Sequence, residues 1–158
     1  MKKYEFTGET KRVELWNRTA TLHRIKATVE FGFVKVGELG GWIEKEENLS
    51  HEGKAWVCDD AKVWGNAEVC GDAKVCGDAE VFLASHVLVM GSVGSRNDFT
   101  TFFRDKDNEI TVKCGCFLGK IDKFLEKVTQ THGNNKYALV YRAAVEVAKL
   151  QIELTERK

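Results

Sequence analysis

From Ala55 the hydrophobic and polar positions recur every six residues: AWVCDD, AKVWGN, AEVCGD, AKVCGD, AEVFLA, SHVLVM. The consensus is Ala-x-Val-x-Gly-Asp/Asn, with Ser replacing the last Ala. A period of six is not helical, and it is too long for simple strand alternation. Ala and Val lie two apart and face one side of a short strand. The Trp, Lys or Glu between them faces out, and Gly-Asp or Gly-Asn makes a corner. The natural solution is a triangular coil of three strands and three corners, 18 residues per turn. Residues 18 apart then stack: Val57 with Val75, Cys58 with Cys76, Asp60 with Asp78, Trp64 with Phe82.

The expected fold class is therefore mainly β with a C-terminal α+β part. A short left-handed parallel β-helix spans 49–90, behind an N-terminal β cap over 1–48 and ahead of a ββαα module over 91–158. So few hexads make little more than two coils. Both ends would expose strand edges and an open apolar core, so the flanks must cap them. Side-by-side packing as a trimer is the expected oligomer.

The flanks follow other periods. KYEF, a TGET turn, KRVELW, a turn at Asn17-Arg18 and TATLHRIKATVEF read as a β-meander. Gly40-Gly41 reads as a tight turn, Trp42 as a core anchor and Asn48-Leu49-Ser50 as the entry to the repeat. After Met90, strands are expected at Phe99–Arg104 and Glu109–Cys114, joined by Asp105-Lys106-Asp107-Asn108. A helix over about Lys120–Thr131 has Ile121, Phe124, Leu125 and Val128 as its apolar stripe and stops at Gly133. A longer helix, capped by Asn134 or Asn135, runs to about Leu154.

The run LHRIKATVEFGFVKVGELGGWIEKEENLSHEGKAWVCDDAKV resembles the opening of YdcK-type hexapeptide-repeat proteins, which occur in bacteria and, in short forms, in phages and prophages. The likeness covers roughly residues 15–90, and its most specific part is Gly-Gly-Trp-Ile, then acidic residues, then Asn-Leu-Ser. Gly-Ser-Arg-Asn, Gly-Cys-Phe and Thr-His-Gly-Asn-Asn-Lys resemble the C-terminal segment of phage members. The resemblance implies a left-handed β-helix with a β cap and says little about activity.

Composition narrows the function classes. The 158 residues include 24 basic and 24 acidic side chains, which argues against a bulk nucleic-acid binder. A hydrophobic share of 43% excludes wholesale disorder. There is no apolar run of the roughly 18 residues that a membrane span needs. The start, MKKYEFTGETKR, has no apolar secretory region, so a cytoplasmic location is expected, in the host cell if the chain is phage-encoded. Charge is uneven: net +4 over 1–37, −7 over 38–80 and +3 over 81–158. Five cysteines, an odd number, suggest reduced thiols. Cys58, Cys70 and Cys76 share a hexad position, and a disulfide or metal between Cys58 and Cys76 is the second reading. Cys114-Gly115-Cys116 lacks a second pair at zinc spacing, so no metal or cofactor is expected.

No recognisable triad, paired carboxylates or phosphate loop marks an enzyme. The unusual polar residues lie in the last third. Ser95, Arg96 and Asn97 offer a Gly/Ser loop with a guanidinium to an anion. Arg104 and Lys113, on paired strands, are expected to converge on that loop. His132, Asn134 and Lys136 sit at the junction of the two helices, where the second offers a positive N-terminus. The expectation is a noncatalytic, oligomeric sponge for an anionic, nucleotide-type immune signal, a phage anti-defence role. The alternatives are an inhibitor module docking on a host protein through Trp56, Trp64 and Phe82, or an acyltransferase using His86 as an outward-facing base.

Overall fold

The computed structural model describes residues 2–15 and 17–154. Tyr4–Glu14 (β1) and Thr19–Ala27 (β2) form a long antiparallel hairpin. The expected TGET turn does not split the first strand. A register shift between Phe6 and Thr10, with Gly8 at φ +97, absorbs it. Trp16, the last residue of the expected strand KRVELW, lies outside the described residues. Leu39–Ile43 (β3) pairs antiparallel with β2. Gly40 and Gly41 are inside β3, not at a turn. A methyl on Gly40 would overlap Ile25 and Trp56, and one on Gly41 the Ala61 carbonyl. Trp42 is buried as expected.

The repeat forms strands of two residues each: Trp56–Val57 (β4), Lys62–Val63 (β5), Lys74–Val75 (β6) and Glu80–Val81 (β7). The spacing of 18 is present as parallel pairing. Val57 lies beside Val75 and Val63 beside Val81. The Ala and Val of each hexad share one core with Tyr4, Ile25 and Ile43. Gly65, Gly71 and Gly77 turn corners at φ +61, +65 and +66, and Asp59 does so at φ +57.

The expected fold class is nevertheless corrected. No left-handed parallel β-helix solenoid is formed. β5 and β7 extend a five-stranded mixed sheet, order β1-β2-β3-β5-β7, whose first three strands are antiparallel. β4 and β6 stand alone as a pair. The third side of the would-be coil has a single parallel bridge, Leu49 to Val69. The repeat is too short to close on itself, and the flanking hairpin takes over its ladder. Trp56, expected to face out, is buried against Tyr4 and Phe31. Trp64 is buried too, stacked on Phe82 at 5.2 Å. Cys58 and Cys76 are joined by a disulfide, which corrects the expectation of reduced thiols there, while Cys70, Cys114 and Cys116 are free.

The ββαα module is also corrected, to four strands and two helices. Val87–Val93 (β8), Asp98–Arg104 (β9), Ile110–Cys114 (β10) and Phe117–Lys120 (β11) form an antiparallel sheet, order β11-β10-β9-β8. β8 reads in sequence as a last hexad, and β11 is only 4 residues long. Ile121–His132 (α1) and Lys136–Gln151 (α2) match the expected helices closely. Asn135 caps α2 by accepting the Ala138 N–H. β9 joins two cores: Phe103 packs with the repeat and Phe102 with the helices. Among the described residues, no helix is long and apolar enough to cross a membrane.

Candidate anion-binding groove

The repeat and the C-terminal sheet are stitched along one seam. The Lys74 N–H donates to Thr101 Oγ1 at 3.0 Å, and the Lys106 N–H donates to the Asp78 carbonyl at 2.9 Å. In β10, Lys113 lies opposite Thr101. Lys74 of the repeat and Lys113 of the sheet are thereby brought to the same cleft. A third wall comes from the N-terminal part. Phe31 and Val34 exchange backbone hydrogen bonds, so Gly32 and Phe33 form the tip of a tight turn. Phe33 is 86% exposed, and the Lys74 ammonium sits 4.8 Å from its ring centre.

These walls enclose a groove of about 330 Å³. Lys54, Lys74 and Lys113 supply cations, Phe33 and Phe99 supply rings, and Asp72 and Asp98 supply the only carboxylates in the lining. Among the described residues, neither Lys54 nor Lys74 forms an ion pair, and Lys113 donates only to the Gly115 carbonyl, at 2.6 Å. Three lysines from two separate parts of the chain thus face a cleft that also holds two carboxylates, so the lining carries a net charge of +1 (three lysines less two aspartates). An ammonium is a compact point charge suited to phosphate oxygens, and a phenylalanine face accepts a planar base.

A second cavity of about 200 Å³ lies on the helix side of the same sheet, and Asp98 and Gly115 border both. Its walls are Phe117, Phe124 and Tyr141, with Arg96, Lys127 and His132 at the rim. The His132 ring stacks on Tyr141 at 6.0 Å, and Phe124 meets Tyr141 edge-on. Burial, then the neighbouring Cys114, raises the Tyr141 hydroxyl above its usual pKa, so it stays neutral at physiological pH. Gly94 has no room for a side chain because the Tyr141 hydroxyl lies against it.

The expected site residues fall into three groups. Ser95, Arg96 and His132 do meet, at the second cavity. Asn97 and Lys113 line the groove instead. Arg104, Asn134 and Lys136 join neither. Arg104 lies at the far end of β9, where it is buried. Its guanidinium donates to the Glu80 carbonyl at 2.7 Å and to Asn108 Oδ1 at 3.1 Å, and it lies over the Phe82 ring. Asn134 accepts from Arg142, and the Lys136 ammonium lies over Tyr137. The outward position expected of His86 is wrong. It is fully buried, with Nδ1 accepting the Phe82 and Leu83 N–H groups at 3.1 and 3.2 Å. Sequence reasoning missed Lys54, Lys74, Phe33 and Phe99. The one signal was the outward-facing position of Lys74 in its hexad.

No family model matches the chain, and no curated protein is similar to it. The resemblance to YdcK-type hexapeptide-repeat proteins is corrected on both grounds: no family match supports it, and the sheets are mixed or antiparallel.

Proposed function

We propose that the chain binds an anionic, nucleotide-type small molecule in the lysine groove and holds it without turnover. The observation that carries this reading is the convergence of Lys54, Lys74 and Lys113 on a cleft that also presents Phe33 and Phe99. Phosphates neutralise the lysines, and a base stacks on the exposed Phe33 ring. The volume lies at the lower end of small-ligand sites, enough for one nucleotide. His132 borders the other cavity, and the groove's lining pairs lysine charge with the Phe33 and Phe99 rings.

Thermal-shift assays and calorimetry with ATP, cyclic dinucleotides, cyclic trinucleotides and ADP-ribose test the proposal. One of these binds once per chain and is recovered chemically intact. Lys74→Ala and Phe33→Ala each weaken it about tenfold or more, roughly the 1–3 kcal/mol that a base–aromatic contact is worth. Failure of the whole panel, or binding untouched by both substitutions, overturns the reading. Conversion of the ligand replaces binding with catalysis.

A further inference from the structure

The cavity on the helix side of the C-terminal sheet stands apart from the lysine groove, and its lining has two parts of different chemistry. One part is a row of rings. Phe117 and Phe124 lie 5.6 Å apart, Phe124 meets Tyr141 edge-on at 5.5 Å, and His132 stacks on Tyr141. Such a lining takes a further ring edge-to-face or offset-stacked. The other part is polar and is set by the loop between β8 and β9. The Asn97 N–H donates to the Gly94 carbonyl at 3.2 Å, which closes the loop that carries Arg96. A methyl on Gly94 would collide with the Tyr141 hydroxyl, so that hydroxyl sits at the base of the same loop. Arg96 is near enough for its charge to act on it.

Both donors are short of partners. Tyr141 is 9% exposed, and its hydroxyl meets only the Cys114 thiol, at 3.9 Å, a weak partner. A buried hydroxyl so poorly satisfied gains from a ligand oxygen. Among the described residues, neither Arg96 nor Lys127 forms an ion pair. Apart from His132, the lining's charged groups are Arg96 and Lys127 against Asp98, a net +1 (two cations less one aspartate).

We propose that this cavity binds a small aromatic carboxylate, its ring among Phe117, Phe124 and Tyr141 and its carboxylate on the Arg96 guanidinium and the Tyr141 hydroxyl. A planar guanidinium matches a carboxylate with two parallel hydrogen bonds. An apolar cavity of about 150 Å³ is enough for benzene. The cavity of about 200 Å³ therefore has room for one ring and a carboxylate. It falls short of the roughly 300 Å³ at which larger ligand sites begin, so it is too small for a nucleotide. A net charge of +1 balances one carboxylate and not a polyphosphate. The two sites share Asp98 and Gly115 but no cation, so this one does not rest on the groove.

Calorimetry and ligand-observed NMR on the full chain test this with phenylacetate, benzoate and 4-hydroxybenzoate. At least one binds once per chain with dissociation on the order of 100 µM, as about ten non-hydrogen atoms allow. The corresponding alcohol keeps the ring without the charge, and acetate keeps the charge without the ring. Each binds about tenfold more weakly or worse. Arg96→Ala and Tyr141→Phe each weaken the acid about fivefold or more. Neither lowers the melting temperature, since Arg96 is exposed and phenylalanine keeps the ring packing. Lys74→Ala leaves the acid's binding unchanged, so failure of this site and failure of the groove are distinguishable. No binding of any of the three acids at millimolar concentration overturns the proposal. So does equal binding of the alcohol, or binding that survives both Arg96→Ala and Tyr141→Phe.

Discussion

At the scale of single residues, the hairpin turn at Asp105 shows how one carboxylate organises its surroundings. Asp105 is buried, and it accepts the N–H groups of Asp107 and Glu109, the Thr111 hydroxyl at 2.7 Å and the Lys120 ammonium at 3.1 Å. Lys120 also donates to Asp107 and Glu109. Burial works against that ammonium, but its hydrogen bonds to the three carboxylates outweigh the effect and raise its pKa. Removing the acceptor leaves several donors stranded, which costs more than losing any one bond. Asp105→Ala is therefore expected to lose about 3 kcal/mol in urea unfolding. Lys120→Met is expected to lose about 1 kcal/mol or less, because its head is partly in water. Equal losses for the two would show that the ion pair, and not the buried acceptor, holds the turn. The sequence located this turn at Asp105-Lys106-Asp107-Asn108. It did not show the hub, because Lys120 is brought in by β11, which the sequence did not reveal.

At the scale of elements, the hexads were legible because Ala and Val must share one face whatever sheet they join. Their spacing of 18 survives as Val57 beside Val75 and Val63 beside Val81. The class of sheet was not legible, because it depends on what pairs with the outer strands. β3 continues the ladder into an antiparallel hairpin, and no hexad residue encodes that choice. β8 was hidden for a related reason: its alternation also fits the repeat. The disulfide is the clearest case of register producing a bond. Parallel pairing at 18 residues holds the Cys58 and Cys76 Cα atoms 4.6 Å apart, within the range a disulfide spans. Closing a loop of that length is worth about 3 kcal/mol. The double variant Cys58→Ser/Cys76→Ser is expected to melt about 6–12 °C below the wild type. Reductant should lower the wild type to the same temperature and leave the variant unmoved. Equal melting of wild type and variant under oxidising conditions would mean that the bond contributes nothing.

At the scale of the whole molecule, the groove was illegible because its cations come from segments whose average charge misleads. Lys54 and Lys74 belong to the stretch of net −7, yet they meet Lys113 of a basic segment once β6 and β9 are joined through Thr101. The loop at Ser95 and Arg96 and the helix end at His132 were each legible because a hairpin turn and a helix end are local features; the grouping in which they share one cavity without Arg104, Lys113, Asn134 or Lys136 was not. His86 marks another place where distant parts of the chain meet. The repeat supplies the Phe82 and Leu83 N–H groups to its Nδ1, and β9 supplies the Arg104 guanidinium nearby. Burial first, and Arg104 second, lower its pKa from 6.5 to about 4. The Glu153 backbone works the other way but too weakly to reverse this, as Nε2 finds no partner of good geometry among the described residues. Below pH 6.5 the unfolded chain takes up a proton that the folded chain refuses until about pH 4. Stability is therefore full above pH 6.5 and falls with pH, by about 2 kcal/mol at pH 5. The carboxylates Glu44 and Glu46 are held below their usual pKa by Arg18 and His51 respectively, so their losses begin only at more acid pH. The difference between the wild type and a variant lacking this histidine, measured from pH 7 to pH 5, isolates its contribution. Urea unfolding across that interval should give a slope in the wild type that His86→Asn flattens, since the amide oxygen still accepts the two N–H groups and cannot be protonated there. An unchanged slope in His86→Asn would place the acid sensitivity elsewhere in the molecule.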